Sequence, residues 1–379
     1  MRDGWVETTL GEVSALQMGR TPSRRENSYW TDDLTYPFCT IADMDAKYVE
    51  PKREGVTKAA IMDGKAKMAT KGTLLMSFKL TIGRMGFAAR DIFPNEAIVM
   101  IEADESKVLN EFLYLRLASM DLTEGSGRAV KGSTLNSASI ASIAFLVPPL
   151  PEQKRIVDLI SSVDCYVEAL QQQLESAKRS RNAVLHELLS SGGDDWVEHK
   201  LIDMFEIYQP QTIAKSLMSN DGEFIVFGAN GPIGRYHEFN HEEPEVVVTC
   251  RGATCGTINM TPPKTWITGN AMVVSPKTSE VSKDFLYWAL VAGVDIQSVI
   301  SGSAQPQITR EGLAPVKINI PPLSRQEEIV DLISGFEVNI SHLEESLNKT
   351  KTLRSGLLFD LLSGSHEFPT TYDKVIGAA

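Results

Sequence analysis

Two long stretches of the chain place apolar residues at alternating spacings of four and three. Ile156, Ile160, Val163, Val167, Leu170 and Leu174 form the first seam, which runs on through Ala177, Arg181, Val184 and Leu188. Ile329, Ile333, Phe336, Ile340, Leu343 and Leu347 form the second, continued by Thr350, Arg354, Leu357 and Leu361. An average spacing of 3.5 keeps one stripe of a helix turned towards a partner helix, so each stretch predicts a long helix with a coiled-coil seam. The flanks agree. Pro151 suits a first helical turn, Ser324-Arg325-Gln326-Glu327 reads as a capping box, and Gly192 and Gly364 fall where helix ends take a left-handed residue. About 39 residues at ~1.5 Å each makes a rod of roughly 60 Å. Arg181 and Arg354 interrupt both seams in the same frame, and we read them as polar positions that fix register, in preference to contacts for a docked subunit.

Ahead of each helix the pattern changes. Short β-branched runs bounded by Gly, Pro and Asn predict strands at 73–78 and 97–101, and again at 224–227, 246–249 and 271–274. Helical patterns follow at 110–118 and 283–291. The expected fold class is therefore mixed α/β (α+β): two globular domains separated by a pair of long antiparallel coiled-coil helices. The boundaries are 1–147, 148–192, 193–320 and 321–364, with a tail at 365–379.

The chain is one plan written twice. Pro148-Pro149-Leu150-Pro151-Glu152-Gln153 and the eight residues after it recur from Pro321-Pro322-Leu323-Ser324-Arg325-Gln326, with ten of fourteen positions identical at an offset of 173. The same offset aligns Phe112-Leu113-Tyr114 with Phe285-Leu286-Tyr287, Gly83 with Gly256, and Leu188-Leu189-Ser190 with Leu361-Leu362-Ser363. Near the start, Trp5-Val6-Glu7 recurs as Trp196-Val197-Glu198 at an offset of 191, so the first copy carries eighteen extra residues, placed between 20 and 70. Antiparallel pairing of the two seams would return the second helix to the first globule and create a pseudo-two-fold axis. Such a molecule could present similar faces to two separated segments of one duplex groove.

Composition narrows the possibilities. Hydrophobic content of 42% and charged content of 23% are those of a globular protein. Four cysteines make no disulfide framework, and no apolar run is long enough for an export signal or a membrane span, so a cytoplasmic protein without membrane contact is expected. The net charge of −12 argues against a strong intrinsic grip on nucleic acid. It is unevenly spread: residues 1–147 hold 18 Lys+Arg against 19 Asp+Glu, whereas 193–320 hold 9 against 15.

The two Pro-Pro-Leu-x-x-Gln helical regions, with Gly19-Arg20-Thr21-Pro22 before Tyr29-Trp30, resemble the specificity subunit of type I restriction–modification systems over essentially the whole chain. Phe227-Gly228-Ala229-Asn230-Gly231-Pro232-Ile233-Gly234 and the turns at 132–134 and 302–307 are similar to target-recognition loops. The second copy departs from the pattern, with Tyr208-Gln209-Pro210-Gln211-Thr212 in place of Gly-x-Thr-Pro. The resemblance implies a non-catalytic subunit whose globules each read half of a bipartite, asymmetric double-stranded DNA site. It also implies docking of two methyltransferase subunits, which would hold the S-adenosylmethionine, and assembly with restriction subunits. This chain itself would bind no cofactor and no metal. A specificity subunit of a combined restriction–methylation type II system, and a stand-alone DNA-binding regulator, are the alternatives.

Base readers should be loop residues able to meet base edges by hydrogen bonds. The candidates are Arg24, Arg25, Lys79, Arg84, Arg128, Lys131 and Ser133 in the first copy, and Asn230, Arg235, Tyr236, Arg251, Thr254, Gln305 and Gln307 in the second. Lys79 and Arg251 stand out because each follows a strand at an equivalent place. Catalytic motifs are missing from the sequence: it has no Asp/Asn-Pro-Pro-Tyr/Phe for a flipped adenine, no Gly-x-Gly-x-x-Gly after a strand and no Walker A. Cys250 with Cys255, and His237 with His241, lack the further ligands a zinc site needs.

Overall fold

A computed structural model describes residues 4–122, 135–219, 221–302, 305–365, 368 and 372. The chain forms two compact units, Met1–Glu168 with Lys349–Ala379, and Ala169–Asn348. The long helices, Leu150–Ser190 and Leu323–Ser363, are 41 residues each and contribute to both units.

Each unit is built on an antiparallel sheet of the same strand order. In the first unit Ser14–Met18, Ile98–Ala103, Leu74–Ser77 and Met85–Ala88 lie side by side. In the second the neighbours are Phe205–Tyr208, Ala271–Pro276, Val246–Thr249 and Ile258–Met260. The registers correspond: Ser77 faces Ile98, and Thr249 faces Ala271. Helices Asn110–Ala118 and Lys283–Ala292 cover the sheets through Phe112 and Leu113, and through Phe285 and Leu286, all fully buried. A two-stranded ribbon closes each unit next to a long helix, Val6–Thr9 with Ala144–Val147 and Val197–Lys200 with Lys317–Ile320. The predicted strands and short helices thus stand where expected, to within one or two residues at their ends.

The eighteen extra residues are accounted for. Residues 19–73 join the first two strands in one unit and residues 209–245 join their counterparts in the other. The longer connection adds Tyr48–Val49 as a parallel fifth strand on the first sheet, together with helix Lys58–Met62. The shorter one makes a hairpin, Phe224–Phe227 with Pro232–Tyr236.

The repeated glutamine explains the Pro-Pro-Leu-x-x-Gln motif. Gln153 is fully buried; its Oε1 accepts from the Leu109 amide at 2.7 Å, and its Nε2 donates to the carbonyls of Lys107 at 2.9 Å and Pro148 at 2.8 Å. Gln326 repeats the arrangement, accepting from Ser282 at 2.9 Å and donating to Glu280 at 2.8 Å and Pro321 at 2.9 Å. One amide thereby ties the start of each long helix to the loop that opens the short helix of its globule. Only a neutral primary amide carries both the acceptor and the two donors that this position uses.

One expectation is corrected. The second long helix begins at Leu323, so Ser324 lies inside the first turn and cannot act as the cap of a capping box. Pro322 supplies the starting carbonyl instead, accepting from Arg325 at 2.9 Å and Gln326 at 3.1 Å, just as Pro149 accepts from Glu152 and Gln153. At the far ends, Gly192 (φ 29°) and Gly364 (φ 73°) do adopt left-handed conformations.

The two helices run antiparallel within each unit. In the first, Ile156 and Ile160 share a core with Leu357, Leu358, Leu361 and Leu362; in the second, Leu185 and Val184 share one with Ile333 and Phe336. Ile156, Ile160, Leu170, Leu174, Ile329, Ile333, Ile340 and Leu347 are buried, and Val163, Val167, Phe336 and Leu343 half-buried. Each fully buried aliphatic side chain contributes about 1.5–3 kcal/mol. Near the end of the first helix the seam widens, because Leu185 rather than Val184 is fully buried against Trp288. The seam arginines form matching pairs: Arg181 with Glu337 in the second unit and Arg354 with Asp164 in the first. A shift of 173 turns one pair into the other.

Candidate functional site

At one end of each sheet the strands deliver several loops to the same place. In the second unit three meet: the hairpin turn 228–231, the loop 250–256 and residues 305–307. The hairpin turn closes through the Gly228 amide on the Gly231 carbonyl at 2.8 Å, and the Thr249 hydroxyl donates to Ala229 at 2.6 Å. The segment is a strand–turn–strand, with Gly231 at φ 135°. Arg251 and Gln307 face each other in an isolated antiparallel bridge, and the Gly252 amide donates to Pro306 at 3.1 Å. Directly opposed residues of such a bridge lie about 4.5–5.5 Å apart at Cβ, so a guanidinium and a primary amide issue from one spot. Both residues are exposed, as are Asn230, Thr254 and Gln305.

Among the second-copy candidates, Asn230 accepts from Asn259 Nδ2 at 2.8 Å, which brings in a residue the sequence did not single out. A central asparagine of a three-residue strand, Ile258–Met260, carries no sequence signal of its own. Arg235 donates to the carbonyls of Gly222 and Glu223, each at 2.6 Å, and so braces the hairpin. Tyr236 packs edge-on against Trp266, with ring centroids 5.3 Å apart.

In the first unit the corresponding sheet end carries the Gly19-Arg20-Thr21-Pro22 crossing and the loop 78–83. Gly19 is required by space, since a Cβ there would stand 2.2 Å from the Asn95 carbonyl oxygen. The second copy solves the same crossing from the other side: Gly269 is the glycine, approached by the Pro210 carbonyl, which is why Gly-x-Thr-Pro is dispensable there. Arg20 donates to the Gly64 carbonyl, and the Thr21 hydroxyl bonds to Glu96. Arg24 lies over the Trp30 ring at 3.6 Å and makes a two-pronged pair with Glu54 at 2.6 and 2.7 Å, which holds its pKa above the usual guanidinium value. Arg25 is exposed. Lys79 is half-buried, with its ammonium 5.2 Å from the Phe78 ring, and Arg84 is exposed and reaches the Ile41 carbonyl at 3.3 Å. Lys79 and Arg251 occupy equivalent places, each two residues beyond a strand. Arg128, Lys131 and Ser133 lie outside the described residues.

Among the described residues, neither loop cluster brings together a nucleophile with a base or acid placed to act on it. His241 stacks on Tyr208, whose hydroxyl is 2.9 Å from its Nε2, and burial lowers its pKa. Cys250 is buried and its thiol bonds to the Asn270 carbonyl. Among the described residues no group of three or more His, Cys, Asp or Glu is placed to hold a metal ion, and no helix is long and apolar enough to cross a membrane.

Comparison with known proteins accords with this geometry. The family described as type I restriction modification DNA specificity domain matches residues 2–179 and 193–351, once per copy. The chain is similar to the type I restriction enzyme EcoprrI specificity subunit of Escherichia coli, 23% identical over 359 residues covering 89% of this chain and 88% of that one. It is also 21% identical, over 94% of this chain and 86% of the other, to the putative type I restriction enzyme MjaX specificity subunit of Methanocaldococcus jannaschii. In fold it resembles the crystal structure of a type I restriction–modification S subunit from M. genitalium, with a TM-score of 0.61 at 17% identity and 96% and 97% of the two chains covered. The chain belongs to the type I restriction modification DNA specificity domain family, and it is a recognition subunit, not a catalyst.

Proposed function

We propose that residues 1–147 and 193–320 each read one half of a bipartite, asymmetric DNA site. The helices 148–192 and 321–364 set the gap between the halves and dock two methyltransferase subunits, to which restriction subunits are added in the cytoplasm. S-adenosylmethionine belongs to the methyltransferase partners. The observation that carries this reading is the duplication itself: one sheet, one glutamine clamp and one helix pair are built twice, while the loops at matching sheet ends carry unlike residues. A repeated frame suits a duplex with its own two-fold symmetry, and unlike loops suit two different half-sites. The net charge of −12 assigns much of the phosphate attraction to the partner subunits, so the isolated chain should bind DNA weakly.

Single-molecule methylome sequencing of a host with and without the gene tests the reading. The expected result is a gapped, asymmetric methylation motif that disappears with the gene; a contiguous motif, or no change, rejects it. One heptad inserted into both helices keeps the seam and adds ~10 Å of rod. The gap should then grow by about three base pairs while both half-sites stay the same.

A further inference from the structure

The first unit contains a pocket of about 350 Å³ between helix Asn110–Ala118 and the last turns of the second long helix. Arg116 and Ser119 line it from the short helix, and Arg354, Ser355, Phe359 and Ser363 from the long one. Two guanidinium groups reach it, one from each helix, and guanidinium N–H groups are donors for an oxyanion, whereas the Ser119, Ser355 and Ser363 hydroxyls already donate to the Arg116, Lys351 and Asp360 carbonyls. Arg354 already commits its Nε and one terminal nitrogen to Asp164. Arg116 is different. It gives one N–H to the Leu362 carbonyl at 3.3 Å, and its Nε is buried with no acceptor among the described residues. Burial without a neighbouring carboxylate pushes its pKa down. A half-buried cation lacking a counter-charge is unfavourable until an anion joins it.

The second unit shows that the frame does not require this cation. Shifting by 173 replaces Arg116 by Ala289 and Ser119 by Ala292, and Arg181 lies 5.4 Å from the ring of Trp288, where the first copy has Leu115. Methyltransferase subunits docking alike on both halves would call for the same pocket twice, whereas two unlike half-sites would not. Its place in the fold agrees. Leu122, three residues beyond Ser119, comes within 3.8 Å of the point where a Cβ on Gly83 would stand, beside the Lys79–Arg84 loop.

We propose that this pocket takes a backbone phosphate of the half-site read by the first unit, with Arg116 as the principal donor. The proposal rests on the DNA-reading function given above. Its test is a salt titration of the full chain assembled with its methyltransferase subunits, on a duplex carrying the methylated motif and on a scrambled duplex. Arg116→Ala should weaken binding to both duplexes alike and lower the slope of log K against log salt by about 0.9, the value of one phosphate contact. Arg116→Lys should recover most of that slope. Ser355→Glu, which puts a carboxylate into the pocket without removing the Arg116–Leu362 contact, should reproduce the loss at an unchanged thermal midpoint. An unchanged slope in both Arg116→Ala and Ser355→Glu overturns the proposal, as does a loss of methyltransferase subunits on purification at unchanged slope, which would mark the pocket as a seat for a protein carboxylate. If the wild-type complex fails to prefer the motif over the scrambled duplex, the DNA-reading function falls; a preserved preference with an unchanged slope removes only the phosphate site.

Discussion

In the first unit Leu115 and Arg116 occupy the places that Trp288 and Ala289 hold in the second, yet the helices carrying them cover their sheets in the same way. The same contrast recurs elsewhere. Gly19 relieves a crossing in one unit and Gly269, on the opposite side, relieves it in the other. Asn110 Nδ2 reaches the Gly72 carbonyl at 2.9 Å, where Lys283 reaches the Pro244 carbonyl at 2.8 Å and adds an ion pair with Glu245. What is kept is the glutamine, Gln153 with Gln326, and an arginine–carboxylate pair, Arg354·Asp164 with Arg181·Glu337. The groups that join globule to helix and helix to helix are kept, and the groups that fill space or face outward are free to differ. A recognition protein built this way can change what it reads without changing how it is assembled.

The largest effect should come from breaking what the two units share. Gln153→Ala removes three hydrogen bonds and leaves the Leu109 amide and two carbonyls buried without partners. At about 1–3 kcal/mol for each unsatisfied group, a loss of at least about 3 kcal/mol is expected. Hydrogen exchange should show the loss concentrated in the first unit, and Gln326→Ala should mirror it in the second. Equal loosening of both units by either variant would show that the clamps do not act locally.

Loop substitutions should separate the units in function and leave stability alone. Arg251→Ala is expected to relax one position in one half of the methylation motif at a cost of about 1–3 kcal/mol in recognition. Lys79→Ala should act on the other half, with methylome sequencing as the measurement. Both substitutions altering the same half would contradict the assignment of one half to each unit.

A smaller difference is expected from the two ion pairs. Arg354→Ala should cost about 1 kcal/mol, as for a partly exposed pair. Arg181→Ala should cost about 0.5–1 kcal/mol more, because that guanidinium also lies 5.4 Å from the Trp288 ring. Denaturant titrations of both variants measure the gap, and equal losses would mean that the ring contact contributes nothing.

The smallest effects concern the thiols. Burial holds Cys39 in the first unit up to about 12, whereas Cys165 on the first long helix is exposed. Alkylation of the folded protein at pH 8 should therefore modify Cys165 first and Cys39 last, read by peptide mass spectrometry. Early labelling of Cys39 would show that the first globule opens more readily than its core implies.

Much of this plan was legible in the residues. A 4-3 seam and a fourteen-residue repeat are local or self-referential signals, so the helices and the duplication could be read without a fold. The family resemblance rested on the same segments. The site was legible only in part. Lys79 and Arg251 were singled out because each follows a strand at an equivalent place, but the partner of Arg251 is Gln307, 56 positions away, and the two meet only because the chain returns. Arg235 was chosen as a reader, and in the fold its guanidinium also meets the Gly222 and Glu223 carbonyls, which no spacing rule foresees. Arg116 drew no notice because in sequence it is one more charge on a short helix.

By itself, then, the order of apolar and polar residues determined that there would be two long helices, two copies of one globule and an eighteen-residue difference between them. Periodicity and repetition act along the chain and survive without contacts. The tertiary structure alone decided which polar groups are spent and which are left over. Whether Gln153 is a clamp, Arg235 a brace or Arg116 an unpaired cation depends on backbone groups contributed from 5 to 246 residues away, and most of these partners come into reach only once the chain has closed on itself.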